Sequence, residues 1–249
     1  MRLFRRRPPT EFTETWREML ADRMVHWSVL DAHERIVLEE LTIDLLDRKR
    51  WEAARGFELT MEMRLLIAAQ AGLLVLGLGV DAYRNVKTIL VHPSTQVLQR
   101  ERRGPAAGVV TDSPLPILGQ TEFGGPVVLA WDEASDNARH PERGHNVVYH
   151  EFAHKLDLLD GMIDGTPPLE DQDTLSRWIE VCTKEYEALR AGHGGRLLRD
   201  YAAVNTGEFF AVATEVFFDR PVDLRGQKSD LYGVLAGFYR QDPAARASR

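Results

Sequence analysis

Cysteine is almost missing from this chain, which holds a single one, Cys182, in 249 residues. One thiol excludes an internal disulfide framework and any cluster of cysteine metal ligands, and it suits a reducing cytosol. Long hydrophobic runs are missing too. Leu65–Val80 is the best candidate, sixteen residues without a charge. That is short of the roughly 20 a bilayer-spanning helix needs, and glycines interrupt it. It reads as a core helix running into a glycine-rich turn, so no membrane association is expected. The start of the chain is basic, MRLFRRRPP, but EFTETWREMLADR follows with no apolar segment, which argues against export and for a cytoplasmic protein. An excess of positive charge is lacking as well. At a net charge of −7, direct nucleic-acid binding is not expected from bulk electrostatics. Repeats and low-complexity segments are absent. What is there is an ordinary globular composition, 44% hydrophobic and 28% charged, with ample length to bury a core.

Periodicity predicts helices over Thr13–Trp27, Asp31–Lys49, 62–76, 173–190, 205–218 and Ser229–Tyr239, with Asp31 as an N-cap. Ile36, Val37, Leu41, Leu45 and Leu46 should form one inward stripe, and Leu175, Trp178, Ile179, Val181, Cys182 and Tyr186 another. Thr88–His92 and Pro126–Trp131 read as strands, and Gly108–Thr111 as a β-prone piece of a loop-rich stretch. The polar DEASDNARHPERG after PVVLAW reads as a loop. The expected fold is α+β, mainly helical, with a small mixed sheet beside one central helix. The expected organisation is a flexible basic N-terminus (1–12), a single domain (13–240, with a metal-site core about 126–220) and a frayed tail (241–249).

The central helix carries His150-Glu151-Phe152-Ala153-His154, an H-E-x-x-H sequence within GHNVVYHEFAHKLDLLDG. Positions i and i+4 share a helical face, so both imidazoles can reach one metal ion, with Zn²⁺ the usual occupant. Glu151 lies beside the first histidine, where a carboxylate can take a proton from a metal-activated water. The bland alternative is two histidines four apart on a surface helix by chance. Against it, Val147, Val148, Phe152, Leu156 and Leu159 give the segment an apolar back.

A catalytic zinc usually takes three protein ligands, and two routes to the third are open. One is Asp160, ten residues after His150. It requires a sharp turn off the helix at Asp157, where such sites normally place glycine. The other is a glutamate on a separate helix. Glu208 lies 58 residues after His150 in the first turn of NTGEFFAVATEVFF, and Glu215 lies seven further on, on the same face. A carboxylate on so apolar a helix is costly unless it is paired or binds metal. The second route is preferred, with Glu208 as ligand and Glu215 as a supporting or solvent-facing group. Asp157 and Asp160 then fall to accepting a ring N–H from a ligand histidine. His145 is a helix-start residue or a substrate contact.

HEFAHKLD with the following Asp160-Gly161, PVVLAWDEAS, and NTGEFFAVATEVFF with its following proline together resemble the Mlc titration factor A (MtfA) family of zinc metallopeptidases, over roughly residues 15–240. The resemblance implies a gluzincin-like core similar to the peptidase domain of anthrax lethal factor. It implies His150, His154 and Glu208 as ligands of one zinc, Glu151 as general base, and Tyr201, rather than Tyr149, Tyr186 or Tyr232, as the hydrogen-bond donor to the transition state. It further implies a cytosolic aminopeptidase-like activity on short peptides and, in enteric bacteria, a transcriptional repressor, Mlc, as partner. The rival reading is a non-catalytic protein that sequesters a transcription factor and uses zinc structurally. Structural zinc sites usually close with four protein ligands, which disfavours it.

Overall fold

A computed structural model describes residues 11–54, 56–95 and 125–247. The basic cluster at the N-terminus and Gly108–Thr111 lie outside these residues. Four helices and one strand open the described chain: α1 (Glu14–Arg23), α2 (Val25–Val29), α3 (Ala32–Arg48), β1 (Arg50–Ala53) and α4 (Met61–Leu74). The helix expected over Thr13–Trp27 breaks at Met24, whose backbone is extended (φ −126°, ψ 101°). The break turns Trp27 into the core, where Phe12 stacks on it at 6.2 Å between centroids. Phe12, assigned to a flexible terminus, is thus tied down. Asp31 caps α3 in a reciprocal capping box with Glu34, which closes two otherwise unpaired backbone donors. Leu38, Leu41 and Leu45 face inward, but Ile36 does not; it is 56% exposed.

The uncharged run from Leu65 does form a core helix. Every residue of α4 from Leu65 to Leu74 is buried, and Gly72 lets α3 close in, since a Cβ there would sit 3.0 Å from Leu38 Cδ1. Within it Gln70 is a polar cross-brace. Its amide nitrogen donates to Ala134 O and its oxygen accepts from Asn146 Nδ2.

β2 (Thr88–His92) and β3 (Val127–Ala130) follow, and the described sheet runs β1-β2-β3. Both pairings are parallel, with Arg50 opposite Thr88 and Ile89 opposite Val127. The expected mixed sheet is therefore corrected to a parallel one. A helical crossover through α4 joins β1 to β2, and such a connection returns the chain in the same direction. β1 itself lies between two expected helices, where no strand was expected. The loop expected after PVVLAW is also corrected, for Trp131–Arg139 is a helix, α5. Its charges face outward while Ala134, Asn137 and Ala138 are buried, so a polar composition concealed an amphipathic pattern.

The remaining helices are α6 (Val147–Asp157), α7 (Gln172–Arg190), α8 (Thr206–Asp219), α9 (Pro221–Gln227), α10 (Ser229–Tyr239) and α11 (Pro243–Arg246). Trp178 and Val181 of α7 turn inward, while Ile179, expected beside them, is 50% exposed. Pro221 starts α9 at its first position, where a proline needs no N–H partner. The tail does not fray from 241. Pro243, Ala244 and Arg246 are buried, and Arg246 is held by Glu34 at 2.8 Å and Gln241 at 3.0 Å.

Candidate metal centre

α6 is fixed at both ends before any site chemistry enters. Asn146 caps it, accepting from Val148 N and Tyr149 N, and its own side-chain nitrogen is held by Gln70. Asn137 of α5 accepts from Val147 N at 2.9 Å. Farther along, Lys155 Nζ donates to Gly125 O at 2.9 Å, tying the helix to the start of β3. Phe152 and Leu156 are fully buried behind it. The opposite face presents His150, Glu151 and His154, one turn apart as the spacing requires.

α8 supplies the other wall. Every residue from Gly207 to Asp219 is buried, including Glu208 and Glu215. Asn205 caps this helix by accepting from Glu208 N, so the first turn aims Glu208 at the histidines. His150 Nε2 and His154 Nε2 are 3.2 Å apart. Glu208 Oε2 lies 3.0 Å from the first and 3.5 Å from the second. These three are the His/Asp/Glu group that can hold a metal ion among the described residues. Zinc bonds of about 2.0–2.2 Å in a tetrahedron put ligand atoms roughly 3.3 Å apart, so the spacing fits one such ion. Two imidazoles and one carboxylate also leave a coordination position for water.

Glu215 sits two turns along α8 and is fully buried. Its Oε1 accepts from His150 Nδ1 at 2.7 Å and from Arg199. Its Oε2 accepts from His145 Nδ1 at 2.7 Å and Asn146 N at 2.8 Å. Burial pushes this carboxyl up, but the bonds from His145 and His150 and the nearby charge of Arg199 outweigh it and hold it at about 2. An ionised carboxylate only accepts, so His150 must donate through Nδ1, which makes Nε2 the ring atom that can be offered to a metal. Burial lowers His150 and the bonds to Glu208 and Glu215 raise it, to about 10; Glu208 is held down at about 2, burial opposing the two histidines. The cluster therefore has a strong pull on a proton, which a divalent cation would displace on binding.

Glu151 is half-buried beside His150, and its charge is felt at His150, Lys155 and Tyr201. Tyr201 belongs to a 3-10 turn, Asp200–Ala203. Its ring centroid is 5.9 Å from that of His150. Burial, followed by the charge of Glu208 and a hydrogen bond to it, pushes the phenol well above its usual range.

The short route to a third ligand does not form. Asp157 is right-handed helical (φ −58°), and the left-handed turn comes later, at Gly161 (φ 99°). Asp160 accepts from Met162 N instead. Nor does Asp157 or Asp160 accept from a ring: His154 Nδ1 is buried without a hydrogen-bond partner. Asp157 receives Gly165 N at 2.9 Å, which anchors the 161–170 loop. That loop also receives Trp178 Nε1 on Gly165 O. Sequence reasoning missed Arg199, Asn146, Gln70 and Asn137. Of these only Asn146 carried a readable signal, as a cap residue just ahead of the apolar periodicity.

Comparison with known proteins adds to this geometry. A family model described as Glucose-regulated metallo-peptidase M90 matches residues 2–240. The chain belongs to this metallopeptidase family. A Mlc titration factor A of Serratia proteamaculans is 32% identical over 248 residues, 97% of this chain and 92% of its own length. One of Yersinia pestis is 31% identical over 250 residues, covering 98% and 90%. An uncharacterized protein of Synechocystis is 35% identical over 232 residues, covering 92% and 84%. The resemblance to Mlc titration factor A read from the motifs is thereby borne out. Membership in a metallopeptidase family implies a divalent metal, and the His150/His154/Glu208 group is chemically suited to hold one. No helix among the described residues is long and apolar enough to cross a membrane.

Proposed function

We propose that this protein is a zinc-dependent peptidase of gluzincin type, acting as an aminopeptidase on short peptides, with His150, His154 and Glu208 as the metal ligands. The observation that carries the reading is the convergence of three ligand atoms at 3.0–3.5 Å, from two helices far apart in sequence, beside the half-buried Glu151. Bound there, zinc supplies Lewis acidity that acidifies water and polarises the scissile carbonyl. Glu151 accepts the proton of the attacking water and delivers it to the leaving amine. Tyr201 donates its hydroxyl proton in a hydrogen bond to the oxygen that becomes negative, a role its retained proton at neutral pH suits. Glu215 keeps His150 in the tautomer that leaves Nε2 free. β3, one of the two outer strands of the described sheet, is the edge to which we assign pairing with extended substrate.

Glu151→Gln should keep zinc, measured by elemental analysis, and lose hydrolysis of chromogenic aminoacyl or short-peptide substrates by at least ~100-fold. Unchanged turnover in the zinc-loaded variant would sink the mechanism. A second reading comes from relatives named Mlc titration factor A, which favours a Mlc-type transcriptional repressor as partner. Binding of a purified repressor by the Glu151→Gln variant would show that this role is separable from catalysis.

A further inference from the structure

Arg199 has no part in the reaction as described, yet its position gives it one. The chain approaches Tyr201 through an irregular stretch that follows α7 and ends at Arg199. Leu197 and Leu198 are buried there, but apolar burial is non-directional and does not fix how the next turn is rotated. A polar tether does. Arg199 is the residue immediately before the Asp200–Ala203 turn, and its carbonyl accepts from Ala202 N at 3.0 Å, opening the turn. Its guanidinium donates to Glu215 Oε1, the same oxygen that accepts from His150 Nδ1. Arg199 Cζ lies 5.9 Å from the centroid of the Tyr201 ring. The arginine thus grips the support of His150 with one end and starts the tyrosine's turn with the other. A planar guanidinium bonded to a buried carboxylate is strongly directional.

We propose that Arg199 is a positioning residue for Tyr201, using Glu215 as its anchor to set the turn that presents the tyrosine hydroxyl to the metal centre. This rests on the peptidase reading above. The test is a double-mutant cycle on the full chain, zinc-loaded, with Arg199→Ala and Tyr201→Phe made singly and together. The readouts are kcat and KM for a short peptide substrate and bound zinc by elemental analysis. Arg199→Ala is expected to lower kcat about tenfold or more, with a smaller change in KM, and to retain its zinc. Arg199→Lys should recover part of the loss. In the Tyr201→Phe background Arg199→Ala should change kcat by less than about twofold, because the group it positions is gone. Equal losses in both backgrounds, an unchanged kcat, or loss of zinc from Arg199→Ala would each overturn the proposal; the last would mean that Arg199 acts through His150. If Arg199→Ala does not fold, Arg199→Gln carries the same cycle. Wild-type protein without zinc-dependent turnover would overturn the peptidase reading itself, an outcome distinct from an active wild type with additive variants.

Discussion

Two turns of α8 separate two buried carboxylates, Glu208 and Glu215, in opposite circumstances. Glu215 is saturated: four donors from His145, Asn146, His150 and Arg199 share its two oxygens. Glu208, 1% exposed, faces two ring nitrogens and a tyrosine. Removing either from water is costly, and the saturated one recovers that cost within the protein. The other is balanced by the two histidines, and it is the one whose partners a cation can replace. Burial alone therefore does not mark a metal ligand; the difference lies in how many donors the fold has already committed.

Breaking the poor end should have the largest effect. Glu208→Ala removes one of three ligand atoms, and the purified protein is expected to lose its zinc and its hydrolytic activity together, as read by elemental analysis and a peptide assay. Breaking the saturated end should be milder. Glu215→Gln leaves one acceptor oxygen where two served four donors, and zinc affinity measured by competition with a chelator should fall about 10–100-fold, with the ligand set intact. If the glutamine variant lost metal as completely as Glu208→Ala, the division of labour along α8 would be wrong.

The smallest effect concerns the carboxylate at the end of α6. Burial, with Asp164 and Asp160 adding repulsion and the Gly165 N–H opposing, pushes Asp157 up from 3.8 to about 7. Between those values the folded state holds a proton that the unfolded chain releases, so the stability this group contributes is lost as pH rises through the folded value. Asp157→Asn keeps an acceptor for Gly165 without the charge. Its melting temperature should gain on wild type as pH is raised from about 5 to about 8, and the gap should close on acidification. A gap that is flat with pH would show that the Asp157 charge is already neutralised.

How much of this was legible depended on whether the signal was local. The i, i+4 histidines announced themselves, as did α4, α10 and the capped start of α3, because each is written within one or two turns. The third ligand was narrowed to Glu208 and Glu215 by their improbable place on an apolar helix. The residues already favoured Glu208 as ligand with Glu215 in support, but the partners that occupy Glu215, namely His145, Asn146 and Arg199, come from other segments and were not legible. α5 was missed because five of its nine residues are Asp, Glu, Asn or Ser and read as loop until a neighbour buries Ala134 and Ala138. The parallel sense of the sheet depends on where the chain returns after α4, which no single strand encodes.

The Asp157–Gly165 contact joins the end of the histidine helix to a loop that touches the start of the glutamate helix. A Cβ on Gly165 would lie 2.3 Å from Thr206 O, so the backbone there is pressed directly against α8. Parting the two walls of the site is therefore expected to cost the hydrogen bond from Gly165 N–H to Asp157 together with the contact on the first turn of α8. In hydrogen exchange that N–H should report on the whole cleft, exchanging with the same opening free energy as both helix ends.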